Sequence, residues 1–146
     1  DYIDILQATG MITRSIAERE IQARRMVFNV IMNNQDDHAK NFAFTLNQNR
    51  EWQVSPAYDL TFQMGPGGQH QSSVAGHGSK ISRNALLKAA KSADISEKTL
   101  NSVIAEVCEV ATSFVTTAKA LGGAIPSAVI KETAEKINAN IKALSG

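Results

Sequence analysis

The sequence predicts a mainly α-helical domain, broken once by a small β-hairpin. Two patterns carry that expectation. Apolar residues recur three and four positions apart through residues 16–32, 83–92, 95–118 and 126–144, the spacing that gathers them on one helix face. Between residues 42 and 54 the period falls to two around Asn47-Gln48-Asn49, which reads as two strands joined by a turn. A chain of 146 residues with 43% apolar and 20% charged residues suits one domain with its own core.

Taken in order, residues 1–8 read as a short helix with Tyr2, Ile5 and Leu6 on one face and Gly10 as its end. Ser15-Ile16-Ala17-Glu18 is a capping box, so hydroxyl and carboxylate are each expected to satisfy an orphan N–H of a helix running to about Met32. Ala17, Ile21, Phe28 and Ile31 are expected on its inner face, and its second half is apolar nearly all round. Arg14, Arg19, Arg24 and Arg25 read as a solvated face with some salt bridges. The hairpin follows, then residues 65–80, rich in Gly, Gln, Ser and His, which read as a mobile loop with His70 and His77 exposed. Ser82 caps the next helix. Asp94-Ile95-Ser96-Glu97 reads as a second capping box opening one long helix through Ala118, which Gly122-Gly123 ends. Pro126 opens the last helix, with Ile130, Ile137 and Leu144 in its stripe, completing a helical bundle over residues 82–144.

The chemistry concentrates in Asn33-Asn34-Gln35-Asp36-Asp37-His38-Ala39-Lys40-Asn41 and in Ser55-Pro56-Ala57-Tyr58-Asp59-Leu60. Apolar runs flank the first stretch, and Phe28 and Ile31 are expected beneath it, so polar residues are held on a rigid mount. Phosphoryl transfer needs such a set: a carboxylate to orient the attacking hydroxyl and take its proton, and hard oxygens to hold magnesium against the phosphates. Asp36 and Asn41 have the D-x-x-x-x-N spacing of a base and a metal ligand at opposite ends of a loop. Asp59 follows the hairpin, whose use is to bring it back beside Asn41 as a second metal carboxylate. Each of the three also has a plain structural reading as a turn residue. Lys40 is open between neutralising a transferred phosphoryl group and a solvated loop lysine. His38 reads as loop architecture or substrate contact, and Asp37 as peripheral.

These same runs, with Val27-Phe28-Asn29-Val30 and Phe42 before the hairpin, resemble the C-terminal half of HipA-type serine/threonine kinases, the toxins of bacterial HipA/HipB toxin–antitoxin pairs. The resemblance is dense over residues 25–61 and looser around Ser72-Ser73-Val74-Ala75-Gly76. The D-x-H-x-x-N core is also similar to the catalytic loop of phosphoinositide kinases. The resemblance implies the helical C-terminal lobe of a kinase-like fold, ATP and Mg2+ as cofactors, and transfer to a protein Ser or Thr. It implies Asp36, His38 and Lys40 in catalysis, Asp36, Asn41, Tyr58 and Asp59 at the nucleotide, and Asn41 and Asp59 on the metal. A HipB-like helix-turn-helix antitoxin is the implied partner, with DNA reached only through it, and an aminoacyl-tRNA synthetase is among the implied substrates. Asn34 stands where an H-R-D histidine would stand, a departure that the HipA-like pattern accepts.

No Gly-rich phosphate loop and no strand lysine of the V-A-I-K kind precede the site, so the chain is expected to be the C-terminal fragment of a larger kinase and inactive alone. A net charge of +1 gives no electrostatic case for nucleic acid or membrane, and the single Cys108 suits a reducing cytoplasm. Two other functions fit the same residues: a phosphotransferase acting on a small molecule, and a non-catalytic helical module that docks on an antitoxin or DNA.

Overall fold

The computed structural model describes residues 1–144. The chain runs through helix α1 (Tyr2–Thr13), helix α2 (Ile16–Ile31), a hairpin of strands β1 (Phe44–Leu46) and β2 (Trp52–Val54), and helices α3 (Arg83–Lys91), α4 (Glu97–Thr112), α5 (Phe114–Ala120) and α6 (Ser127–Leu144). Helix α2 is the central element, packed against α1, α4 and α6. Its inner stripe is Ala23, Met26, Val27, Val30 and Ile31, all buried, while Ile21 is exposed and Phe28 only half-buried. Around it pack Leu6, Leu86, Leu100, Ile104, Ile137 and Leu144. The last carbonyls of α2 have no partner within the helix. Asn140 of α6 supplies one, its Nδ2 donating to the Val30 and Ile31 carbonyl oxygens at 3.0 and 3.1 Å.

Several local signals are overridden by tertiary partners. Gly10 does not end α1, which continues for another turn and closes at Arg14 in the left-handed region, φ 54°. The glycine instead makes room, since a Cβ there would lie 2.6 Å from Arg19 Nε. Arg19 crosses α1 at this point and donates to the Ala93 carbonyl at 3.0 Å and to Asp94 at 2.9 Å. Ser15 does cap α2, accepting from the Glu18 N–H at 3.4 Å. The Glu18 carboxylate does not return the bond; it accepts from the Val54 N–H at 2.6 Å and fastens β2 to α2.

Ser96, rather than Asp94, caps α4 by accepting from the Thr99 N–H at 3.1 Å. Asp94 has φ 60° and belongs to the turn closing α3. The long helix expected through Ala118 is interrupted at Ser113. There Thr112 and Ser113 donate their hydroxyls to the Glu109 and Val110 carbonyls at 2.6 and 2.7 Å, competing with the helix's own N–H donors.

The hairpin is antiparallel, with Phe44, Thr45 and Leu46 opposite Val54, Gln53 and Trp52. Its turn is set by Asn47, whose Oδ1 accepts from the Asn49 and Glu51 N–H groups, both at 2.9 Å. No helix of the described residues is long and apolar enough to cross a membrane.

Candidate active site

Two chain segments meet at the end of α2. After Ile31 the backbone turns through Asn33 at φ 55°, and the Asn34 N–H bonds the Asn29 carbonyl at 2.9 Å. Asn34 then forms a parallel bridge with Gln63, fixed by Gln35 N–H to Gln63 O and Gln63 N–H to Asn33 O, both at 3.1 Å. The hairpin therefore delivers the returning segment to the start of the polar loop. Tyr58 secures the far end, its hydroxyl donating to the Lys40 carbonyl at 2.7 Å. Arg25, Asn41, Phe42, Ala57, Tyr58 and Leu60 line the narrow crevice between the two segments.

Asp36 lies at this junction with 29% of its side chain accessible. Its Oδ1 accepts from the Gln71 side-chain amide and stands 3.8 Å from His38 Nε2. Among the described residues no hydrogen bond reaches its Oδ2. Asn41 ends a single 3-10 turn, Ala39–Asn41, and its Nδ2 donates to the Asp36 carbonyl at 2.7 Å, tying the two ends of the loop together. The Asn41 Oδ1 accepts no hydrogen bond among the described residues. Lys40 is exposed in the same turn. Asp59 lies between Tyr58 and Leu60 but is not itself among the residues lining the crevice; it is exposed, sits at φ 53°, and has neither hydrogen bond nor ion pair among the described residues. His38 has its Nδ1 buried without a hydrogen-bond partner there.

The residue that sequence reading set at the periphery is the hub beneath the site. Asp37 is wholly buried, not peripheral. Its Oδ2 accepts from the Tyr2 hydroxyl and meets His70 Nδ1, both at 2.8 Å, and its Oδ1 accepts from the Ser72 N–H at 3.1 Å. The Ser72 hydroxyl donates to the Asp37 carbonyl at 2.6 Å. Burial alone would raise the Asp37 carboxyl, but the bond and charge of His70, the Ser72 N–H and the Tyr2 hydroxyl outweigh it and hold the group below the usual carboxylate range. Burial, together with the Asp37 charge, pushes the Tyr2 phenol well above its ordinary value, so it remains a donor.

The network continues away from Asp37. Asn29 Nδ2 donates to the Tyr2 oxygen at 2.8 Å, Asn34 Nδ2 to Asn29 Oδ1 at 3.0 Å, and Thr61 Oγ1 to Asn34 Oδ1 at 3.3 Å. One polar chain thus runs from the residue beside Asp36 to the residue two beyond Asp59.

His70 is accordingly buried rather than exposed, and residues 65–80 are anchored as well as irregular. Gly76 and Ala75 donate their N–H groups to the Asp1 carboxylate at 2.7 and 3.2 Å, and the Ser73 hydroxyl does so at 2.9 Å. Nothing local in the sequence marked Tyr2 or Asn29 as members of this network. Arg25 was read on a solvated face but is half-buried: it reaches the Ser55 carbonyl through Nη2, while Nη1 lacks a partner among the described residues. Among those residues no three His, Cys, Asp or Glu side chains gather into a metal cage.

Comparison with known proteins gives this geometry its context. The HipA-like C-terminal domain family matches residues 1–115. A solved structure described as the Shewanella oneidensis MR-1 toxin–antitoxin system HipA, HipB and operator DNA complex superposes with a TM-score of 0.76 at 16% identity. The match covers 99% of this chain and 36% of that one, so the chain spans about a third of its structural relative. Among curated proteins none matches.

Proposed function

This chain belongs to the HipA-like C-terminal domain family, and from that premise we propose that it is the catalytic lobe of a serine/threonine protein kinase of the toxin–antitoxin kind. One observation carries the reading. The loop with Asp36 and Asn41 and the bend with Asp59 belong to two segments held together by the Asn34–Gln63 bridge and the Tyr58–Lys40 bond, which supports reading Asp36 as a proton acceptor and Asn41 and Asp59 as hard oxygen ligands of one site.

In this reading Asp36 Oδ2, to which no described residue hydrogen-bonds, accepts the proton of the attacking Ser or Thr hydroxyl as that hydroxyl's oxygen bonds to the γ-phosphorus and the bond to ADP breaks. Asn41 Oδ1 and the Asp59 carboxylate would hold Mg2+. They fit a cation that takes one or two protein oxygens and completes its octahedron with water and phosphate, rather than one that demands a full protein cage. The ion would neutralise charge on the phosphate oxygens. Tyr58 keeps the Asp59 bend on the loop, and Lys40 and His38 flank the transferred group as a cation and a loop support. The rest of the nucleotide's surroundings, absent from this fold, would come from further protein, so the chain alone transfers no phosphate. A HipB-like antitoxin is the proposed partner, with DNA contacted through it and not by this lobe.

The test uses the full-length kinase, labelled ATP, Mg2+ and a protein substrate. Asp36→Asn should reduce phosphoryl transfer by about a thousandfold or more, while ATP affinity measured by calorimetry stays within about twofold, because a proton acceptor and not a nucleotide ligand is lost. Full transfer by Asp36→Asn would sink the reading.

A further inference from the structure

Residues 70–72 lie along residues 35–37 in a way that alternates. The Gln71 N–H bonds the Gln35 carbonyl at 3.2 Å and holds the two stretches side by side. His70 and Ser72 both turn to Asp37 on the buried side. Gln71, between them, turns outward and donates its side-chain amide to Asp36 Oδ1. Neighbouring residues on an extended backbone face opposite ways, so the same alternation that sinks Asp37 lifts Asp36 to the surface. The segment therefore holds the pair of aspartates from both sides. One member is fixed by buried hydrogen bonds, the other by the hydrogen bond of one exposed amide, with His38 Nε2 3.8 Å from the same oxygen.

We infer that Gln71 is a positioning residue of the phosphoryl-transfer reaction, a role that rests on Asp36 being its base. By occupying Oδ1, the amide of Gln71 fixes the rotation of the carboxylate and leaves Oδ2 as the oxygen that meets the substrate hydroxyl. A free carboxylate would spend part of its time with neither oxygen aimed at the substrate. A donor on one oxygen removes that freedom before substrate arrives, which is where positioning contributes to rate. Gln71 is exposed, and among the described residues its side-chain amide makes no hydrogen bond other than the one to Asp36.

The experiment is a set of four variants of the full-length kinase: Gln71→Ala, Gln71→Glu, Gln71→Lys and Asp36→Asn. For each, kcat, the KM for ATP and the thermal midpoint are measured. Gln71→Ala should lower kcat by about tenfold, with the KM for ATP within about twofold and the midpoint unchanged. Gln71→Glu has nearly the same shape but replaces the donor by a carboxylate, so it should lose more than Gln71→Ala. Gln71→Lys restores a donor at similar reach and should recover part of the loss.

A role in packing alone predicts the opposite order, with Gln71→Glu close to wild type. That result would overturn the inference while Asp36→Asn stayed inactive and the kinase reading stood. If Asp36→Asn kept its rate, the base assignment would fail, and the role of Gln71 with it.

Discussion

The loop carrying Asp36 and the bend carrying Asp59 are two sides of one candidate site, yet they are built in opposite ways. The loop is braced. Asn41 ties its ends, Gln71 holds Asp36, and Asp37 drives a buried anchor into Tyr2, His70 and Ser72. Among the described residues the bend is hydrogen-bonded at its flanks, through Tyr58 before it and Thr61 and Gln63 after it, while Asp59 itself makes no hydrogen bond or ion pair. A proton acceptor works only if it is aimed before the substrate arrives, so its order must come from the protein. A metal carboxylate can take its final position from the ion, and any internal hydrogen bond it made would have to be broken first. Under the proposed roles, the contrast puts rigidity where the chemistry could not supply it.

The largest test of that contrast falls on the anchor. Asp37→Asn keeps the shape but removes the charge and leaves buried donors facing an amide. At neutral pH it should cost about 3–5 kcal/mol in urea unfolding, the range for breaking a buried charged pair. The sign of the pH dependence follows from the lowered Asp37 carboxyl. A group held below its unfolded value stabilises the fold fully above about pH 4 and loses that contribution as pH falls through its lower folded value. The gap between wild type and Asp37→Asn should therefore be wide at pH 7 and narrow below about pH 4. A gap that is small, or the same at both pH values, would show that the loop is not braced by a charge.

These two aspartates also mark where the sequence could and could not be read. Helices and hairpin were legible because periodicity and turn residues are local, and the meeting of the two polar segments follows from a hairpin that must return the chain. Asp37 looked like a spare acid because its partners, Tyr2 and His70, lie 35 and 33 residues away. A signal was present in the alternation: on an extended stretch with Asp36 facing out, Asp37 faces in, and His70 and Ser72 share a two-residue spacing that suits a partner strand. Glu18 and Gly10 misled for a related reason. Each carries a strong local signature, a capping box and a helix stop, that a distant group claims instead, the Val54 N–H for one and the Arg19 side chain for the other.

A smaller effect is expected in the mount under the loop. Ile31 is fully buried and Phe28 half-buried, although they are three residues apart on α2. Ile31→Ala should cost about 2–5 kcal/mol, the range for a truncated core aliphatic. Phe28→Ala should cost about 2 kcal/mol despite its larger ring, because only part of its surface leaves water on folding. Equal or inverted costs in urea unfolding would mean that the loop rests on Phe28, and that the polar anchor is not its main support.

The smallest effect should come from Asp59, and there the comparison is sharpest. The residue is exposed and has no hydrogen-bond or ion-pair partner among the described residues, and its φ of 53° lies in the left-handed region, which asparagine tolerates nearly as well as aspartate. Asp59→Asn should therefore leave the thermal midpoint of the chain unchanged, whereas Asp59→Ala should lower stability by about 1 kcal/mol through backbone strain alone. In the full-length protein the proposed metal role predicts the reverse ordering. Asp59→Asn should weaken Mg2+-dependent ATP binding by at least about tenfold, because one of the few charged oxygens offered to the ion is gone, and ATP binding measured in EDTA should not change. A residue that costs the fold nothing and the metal site much is the signature of an unbraced ligand. A clear drop in midpoint for Asp59→Asn, or equal ATP affinity for both proteins in Mg2+, would show instead that the bend is structural and that the hard oxygens of the site lie elsewhere.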